Sequence, residues 1–185
     1  MNMKRIVILI VLAMTVLPLM AQNGGTAKAP NYRRINKEIN KVGGPYFLDS
    51  LQARFDRCDT TLTIDHIRCL YFGVEKPLDM IMINHRYDLL VGRFGRHQGK
   101  ANDTWWQLQM LLSAVWSTGD GSRRHPLHVH GLDDAAFIMA SDFEGYYKEG
   151  RAVNRRRYVL MRYIAMDGQA SGDVWFYIRK QPSDY

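Results

Sequence analysis

Residues that staple, kink or arm a fold are scarce in this 185-residue chain. It holds two cysteines, Cys58 and Cys69, and six prolines, too few for a disulfide scaffold or a proline-rich fibre. Gly-x-Ser-x-Gly, Gly-x-Gly-x-x-Gly, the P-loop and His-Glu-x-x-His are all missing. Their absence removes the nucleophile elbow, the dinucleotide turn, the phosphate cradle and the zincin helix as ready explanations. Acidic side chains are the minority, 18 against 25 Lys and Arg. Long apolar runs are confined to the first twenty residues, so no later segment offers a membrane span.

What is present begins with that run. Lys4 and Arg5 precede apolar residues from Ile6 to Met14, the run resumes after Thr15 and reaches Met20, and Ala21 stands before Gln22-Asn23-Gly24-Gly25. A positive start, an apolar stretch too short for a stable anchor and a small residue before polar ones have the form of a signal peptide over residues 1–21. The expectation is an exported protein, periplasmic or secreted, with no transmembrane anchor in its mature chain. No cysteine follows the cleavage point to carry a lipid. Loss of Lys4 and Arg5 leaves 23 basic against 18 acidic residues, a charge of +5. So small an excess attracts acidic polysaccharide, anionic lipid head groups or nucleic acid only weakly and most often marks a solvated surface, and a nucleic-acid partner is not expected.

Residues 22–30 form a Gly, Ala and Lys leader without apolar periodicity. From residue 31 to 118 the spacing is helical. Asn31 is placed to cap a helix carrying Tyr32, Ile35, Ile39 and Val42, and Gly43-Gly44-Pro45 stops it. Phe47, Leu48, Leu51 and Phe55 mark a second helix, and Thr63 is a predicted cap for a third over Ile64 to Phe72, ended by Gly73. Pro77 suits the first turn of a fourth, which runs to about Phe94. Thr104-Trp105-Trp106-Gln107 has the spelling of a capping box and predicts the start of a fifth, carrying Leu108, Leu111, Leu112, Val115 and Trp116.

After the turn Gly119-Asp120-Gly121-Ser122 the pattern changes to alternation. Leu127 to His130 reads as a short strand, Asp133 as the cap of a helix over Asp134 to Phe143, and Tyr158 to Met166 and Val174 to Ile178 as two further strands. The expected architecture is α+β: helices over 31–118, the last two forming a hairpin, and a β-α-β-β segment over 119–180 packed on them, one compact domain in all.

Three stretches, DTTLTIDHIRCLYFG at 59–73, LLSAVWSTGDGS at 111–122 and DVWFYI at 173–178, together resemble domain of unknown function 4919, found in small exported proteins of Bacteroidetes. The resemblance spans about Pro30 to Ile178. It implies an exported location and, in the middle of the chain, a tetratricopeptide-like helical hairpin, here from Lys76-Pro77-Leu78-Asp79 to Gly99-Lys100-Ala101. One such hairpin is not a solenoid, which needs three or more stacked units to bury a continuous core. The resemblance brings no catalytic or binding residues with it.

The chemistry-bearing candidates are three. His128 and His130, two apart on a strand, share a face, and with His125 from the preceding turn they could present imidazoles to a metal ion, with Asp133, Asp134, His97 and Glu144 as further donors. The competing reading satisfies these rings by ordinary hydrogen bonds. Arg151, Arg155, Arg156 and Arg157, joined by Arg123-Arg124, could bind an anionic ligand, with Tyr146, Tyr147 and Tyr158 as stacking surface; the alternative is a solvated edge whose charges discourage strand pairing. Cys58 and Cys69 could form a disulfide outside the cell or pack as free thiols. Of the two tryptophans 105 and 106, one ring should face the core. No cofactor is called for by any motif, a metal ion apart.

These features favour a non-catalytic exported interaction module, periplasmic or envelope-associated, with a protein partner. Two alternatives stand beside it. One is a metal-assisted hydrolase using His125, His128 and His130; the other is a binder of anionic ligands through Arg151 to Arg157.

Overall fold

The computed structural model describes residues 30–73, 78–96, 98–142, 145–153, 157–165 and 171–179. The chain is mixed α+β, with helices α1 (Tyr32–Lys41), α2 (Pro45–Asp56), α3 (Ile64–Gly73), α4 (Met80–Phe94), α5 (Gly99–Trp116) and α6 (Leu132–Asp142). Its strands are β1 (Leu127–Val129), β2 (Gly145–Val153), β3 (Tyr158–Ala165) and β4 (Ser171–Ile178). The leader at 1–21 and residues 22–29 lie outside the described residues. Among the described residues no helix is long and apolar enough to cross a membrane.

Local sequence sets most helix starts. Asn31 Oδ1 accepts from Arg34 N at 3.0 Å. Thr63 Oγ1 accepts from His66 N at 3.3 Å while His66 Nδ1 accepts from Thr63 N at 3.2 Å, a capping box with imidazole in the place usually taken by Glu or Gln. The fourth helix departs from expectation: Asp79, not Pro77, begins it by accepting from Met82 N at 3.0 Å, and Pro77 lies outside the described residues.

Thr104 and Gln107 do not cap α5, which already starts at Gly99. Both are buried in its interior. Thr104 Oγ1 donates back to the Lys100 carbonyl at 2.8 Å, and Gln107 Nε2 donates to the carbonyl of Phe55 at 3.0 Å, near the end of α2. A Thr-x-x-Gln pair on a core-facing helix surface has the same spelling as a capping box, because residues three apart neighbour each other in both settings. Trp106 packs against Phe55, with ring centres 5.9 Å apart, while Trp105 is exposed beside Tyr87, as expected of one ring in and one out.

The four strands form a mixed sheet in the order β1-β4-β3-β2, with β1 parallel to β4 and the other pairs antiparallel. The expected β-α-β-β segment is thus β-α-β-β-β, because Gly145–Val153, whose charged and glycine residues hide any alternation, pairs with β3 as an added edge strand. Between β1 and β2, which occupy opposite edges, α6 contacts both, as expected of a helix crossing one face. It begins at Leu132, earlier than the cap expected at Asp133, so Asp133 and Asp134 sit in its first turn. Leu127, Val129, Val159, Met161, Val174, Phe176 and Ile178 form the inner face, all 3% exposed or less. They join Ile67, Leu70, Phe72, Leu111, Val115, Ile138 and Met139 in one core.

The loop from α5 into β1 is tightly folded. A Cβ on Gly119 would stand 2.3 Å from the carbonyl oxygens of His125 and Pro126, so backbone approaches backbone and only glycine fits. Ser122 N donates to Asp120 Oδ1 at 2.8 Å and His125 N to Ser122 Oγ at 3.1 Å; the serine bonds backbone, in keeping with a turn. Trp175 N donates to Gly121 O at 2.8 Å, which holds this loop alongside β4.

Candidate functional site

The three histidines go to three environments. His125 is exposed in the loop. His128 is 7% exposed; its backbone N–H donates to Thr118 Oγ1 at 2.9 Å, and its ring lies 4.7 Å from that of Tyr177. His130 is also buried. Its ring sits edge-on to Tyr71 and stacked on Phe72, both from α3, and its Nε2 pairs with the Tyr71 carbonyl oxygen. A nitrogen that donates to a carbonyl has no lone pair left for a metal.

Among the described residues no three His, Cys, Asp or Glu side chains gather where they could hold a metal ion. The expected ligand set of His125, His128 and His130 is therefore not assembled: His125 stays exposed in the loop, the His128 ring packs beside Tyr177 on the outer side of the sheet, and His130, past the end of β1, turns onto Tyr71 and Phe72 of α3. His97 and Glu144 lie outside the described residues. Burial, with Arg68 adding to it, pulls the His128 imidazole down to about 4, so this ring stays neutral at physiological pH.

Asp134, far from being a metal donor, closes a polar knot. Tyr71 Oη donates to Asp134 Oδ2 at 2.5 Å, and the His130 backbone N–H reaches Tyr71 Oη at 3.4 Å. Burial raises the Asp134 carboxyl to about 6 against the opposing pull of the Tyr71 hydroxyl. The knot ties α3, the end of β1 and α6 together. With Asp134 8% exposed and Tyr71 fully buried, it is a structural contact between elements rather than a group presented to a substrate.

The cysteines stand as free thiols. Cys58 Sγ contacts the Asp103 carbonyl at 3.4 Å on α5, whereas Cys69 packs half-buried against the core. The disulfide expected as one alternative is thus not formed. Burial raises both thiols, which makes them poor nucleophiles.

The outer face of the sheet carries the surface-accessible chemistry. Tyr158, Leu160 and Arg162 of β3 pair in register with Tyr177, Trp175 and Asp173 of β4, so all six share one side. The two tyrosines, Leu160 and Trp175 are half-buried, and Arg162 and Asp173 are exposed. Arg157 Nη1 donates to Tyr177 Oη at 3.0 Å, and the Tyr177 ring meets that of Tyr158 edge-on at 5.2 Å. Arg123 lies over the Trp175 ring at 5.5 Å. Arg162 forks onto Asp173 through bonds of 2.8 and 3.2 Å, which holds that carboxyl below its usual range.

Of the expected anion-binding arginines, then, the structure places Arg157 on this face together with Arg123. Arg151 pairs with Leu160 in the β2–β3 register, and Arg155 and Arg156 lie outside the described residues. Trp175 and Tyr177 were not singled out from the sequence, although the alternation in Asp173-Val174-Trp175-Phe176-Tyr177-Ile178 already separates them from the buried set.

A second surface lies on the α4–α5 hairpin. Helix α4 fully buries only Met80, yet exposes Ile81 by 42%, Met82 by 62%, Leu89 by 63% and Phe94 by 48%, and Trp105 of α5, 38% exposed, packs beside Tyr87. Exposed His85, Arg86, Arg93, Arg96 and Lys100 are interspersed, against Asp88 and Asp103.

No family model, curated protein or solved structure matches the chain.

Proposed function

We propose that the protein is an exported, non-catalytic interaction module of the periplasm or cell envelope that docks a partner protein on the α4–α5 hairpin. The observation that carries this reading is the exposure of Ile81, Met82, Leu89 and Phe94 on a helix that fully buries one residue. Apolar side chains clustered at a surface and rimmed by charge mark contact sites. The basic residues among them select the partner's chemistry, an acidic surface studded with apolar side chains. Export rests on the form of residues 1–21, and the resemblance to domain of unknown function 4919 accords with it.

A photo-crosslinking side chain placed at Leu89 tests the proposal in the producing cell, with Lys37 on exposed α1 as the control position. One discrete protein adduct at position 89, lost on Arg86→Glu/Arg93→Glu and absent from position 37, is the expected result. Adducts to lipid alone, adducts to a second copy of the chain, or the same pattern at both positions would overturn it.

A further inference from the structure

Apart from the hairpin, the outer sheet face combines three kinds of group that serve different parts of one ligand. We infer that this face is a binding site for an acidic oligosaccharide, one whose sugar rings carry carboxylate or sulfate. The proposal is independent of the docking surface on α4 and α5.

Trp175, Tyr177 and Tyr158 are half-buried, with Arg123 over the Trp175 ring and the His128 ring against Tyr177, so a sugar ring packs its C–H face against the edges these rings leave exposed, removing apolar area from water on both sides. Arg123 lies over the Trp175 ring at 5.5 Å and Arg157 donates to the Tyr177 hydroxyl at 3.0 Å. Neither has a carboxylate partner among the described residues, so each guanidinium can present its fork to an acidic substituent. The third component is the Arg162–Asp173 pair, exposed on the same face. A fixed carboxylate beside a guanidinium supplies acceptor and donor to neighbouring hydroxyl groups.

Asp173 also decides between polyanions. Held ionised by Arg162, it repels a continuous phosphate backbone but accepts hydrogen bonds from sugar hydroxyls. The edge-on arrangement of Tyr158 and Tyr177, 71° between planes, likewise makes a poor flat platform for successive bases, which bind by stacking face to face. The loop that carries Arg123 is set by Gly119 and by the bond from Trp175 N to Gly121 O, so the cation and the ring beneath it are positioned by the same backbone. That pre-positioning lowers the ordering cost of binding.

Calorimetric titration of the purified full chain at low salt, about 25 mM so that charges are little screened, tests the site with four probes: short oligogalacturonate, a short sulfated dextran, neutral dextran and single-stranded oligothymidylate. The expected result is binding of one or both acidic saccharides, the stronger of the two identifying carboxylate or sulfate as the acidic group. Affinity should fall at least tenfold in Arg123→Gln/Arg157→Gln and stay within twofold in Lys37→Gln/Lys41→Gln, which removes equal charge from α1. Trp175→Leu should weaken binding while leaving the charge untouched. Should the double arginine variant melt early, the two single variants are read in its place. Equal affinity in the wild type and arginine variants, equal loss in the α1 variant, binding to no acidic saccharide, or tighter binding of oligothymidylate would each overturn the proposal.

Discussion

Helices α3 and α4 follow each other in the chain and meet opposite fates. In α3, Ile67, Leu70, Tyr71 and Phe72 are all fully buried, whereas α4, half as long again, fully buries only Met80 and leaves Leu89 and Met82 mostly in water. Both are apolar enough to sit in a core. The difference is position: α3 lies between α1, α2 and α5 and reaches His130 past the end of β1, while α4 packs on α5 and α6 from outside. A hydrophobic helix without a covering layer among the described residues is the signature of contact with something else, and a hydrophobic helix with layers around it is a keystone of stability.

Truncation should break the comparison open most sharply. Phe72→Ala removes a fully buried ring and should cost about 3–5 kcal/mol in urea unfolding, whereas Leu89→Ala should stay within about 0.5 kcal/mol. Equal losses would mean that α4 is covered in solution by this chain itself.

The next effect concerns pH, through groups that α3 holds. Burial keeps Asp134 above and His128 below their ordinary values, at about 6 and about 4. The raised carboxyl binds its proton more readily folded than unfolded, so between its ordinary value of 3.8 and about 6 its contribution to stability falls as pH rises. The lowered imidazole binds its proton less readily folded, so between about 4 and 6.5 its contribution rises with pH. The two oppose each other across nearly the same window. Asp134→Asn should therefore make unfolding free energy climb more steeply from pH 4 to 6.5 than in the wild type, by on the order of 2 kcal/mol, and His128→Gln should tilt it the other way. Parallel stability–pH curves for the wild type and both variants would show that neither group is buried as described.

The smallest effect lies in the turn that feeds α3. Cys58 occupies a left-handed conformation, φ 56°, with Cys58 N bonded to Phe55 O and Asp59 N to Arg54 O, the Schellman arrangement that usually carries glycine. Cys58→Gly should relieve that strain and, net of the lost thiol contact to Asp103, raise stability by up to about 1 kcal/mol. Reductant should leave the melting temperature of the wild type unchanged, since no bridge joins Cys58 to Cys69; a drop on reduction would reinstate the disulfide.

Much of the helical scaffold was legible because its signals are local. Asn31 and Thr63 cap helices through bonds that span three residues, and Gly119 through Ser122 turn where expected. The strand alternation from Asp173 to Ile178 likewise names the buried set. Where the spelling was degenerate, reading failed: Thr104-x-x-Gln107 has the form of a cap, but Gln107 serves a carbonyl 52 residues away. For the histidines the sequence left two readings open, for a related reason. Alternation says that His128 and His130 share a side, and nothing near them in sequence says that His130 will be covered by Tyr71 and Phe72 while His128 packs on Tyr177.

The sequence by itself determined the order of the helices and of three of the four strands, β2 excepted, with most caps and turns and the apolar side of β1, β3 and β4, because hydrogen bonds and side-chain periods of this kind are settled within a few residues. Only the tertiary structure decided that His128 and His130 are buried apart rather than gathered, that Asp134 is buried against Tyr71, and that Arg123 and Arg157 meet Trp175 and Tyr177 on one open face. Desolvation and charge proximity depend on what distant segments bring alongside, and no local pattern carries that information.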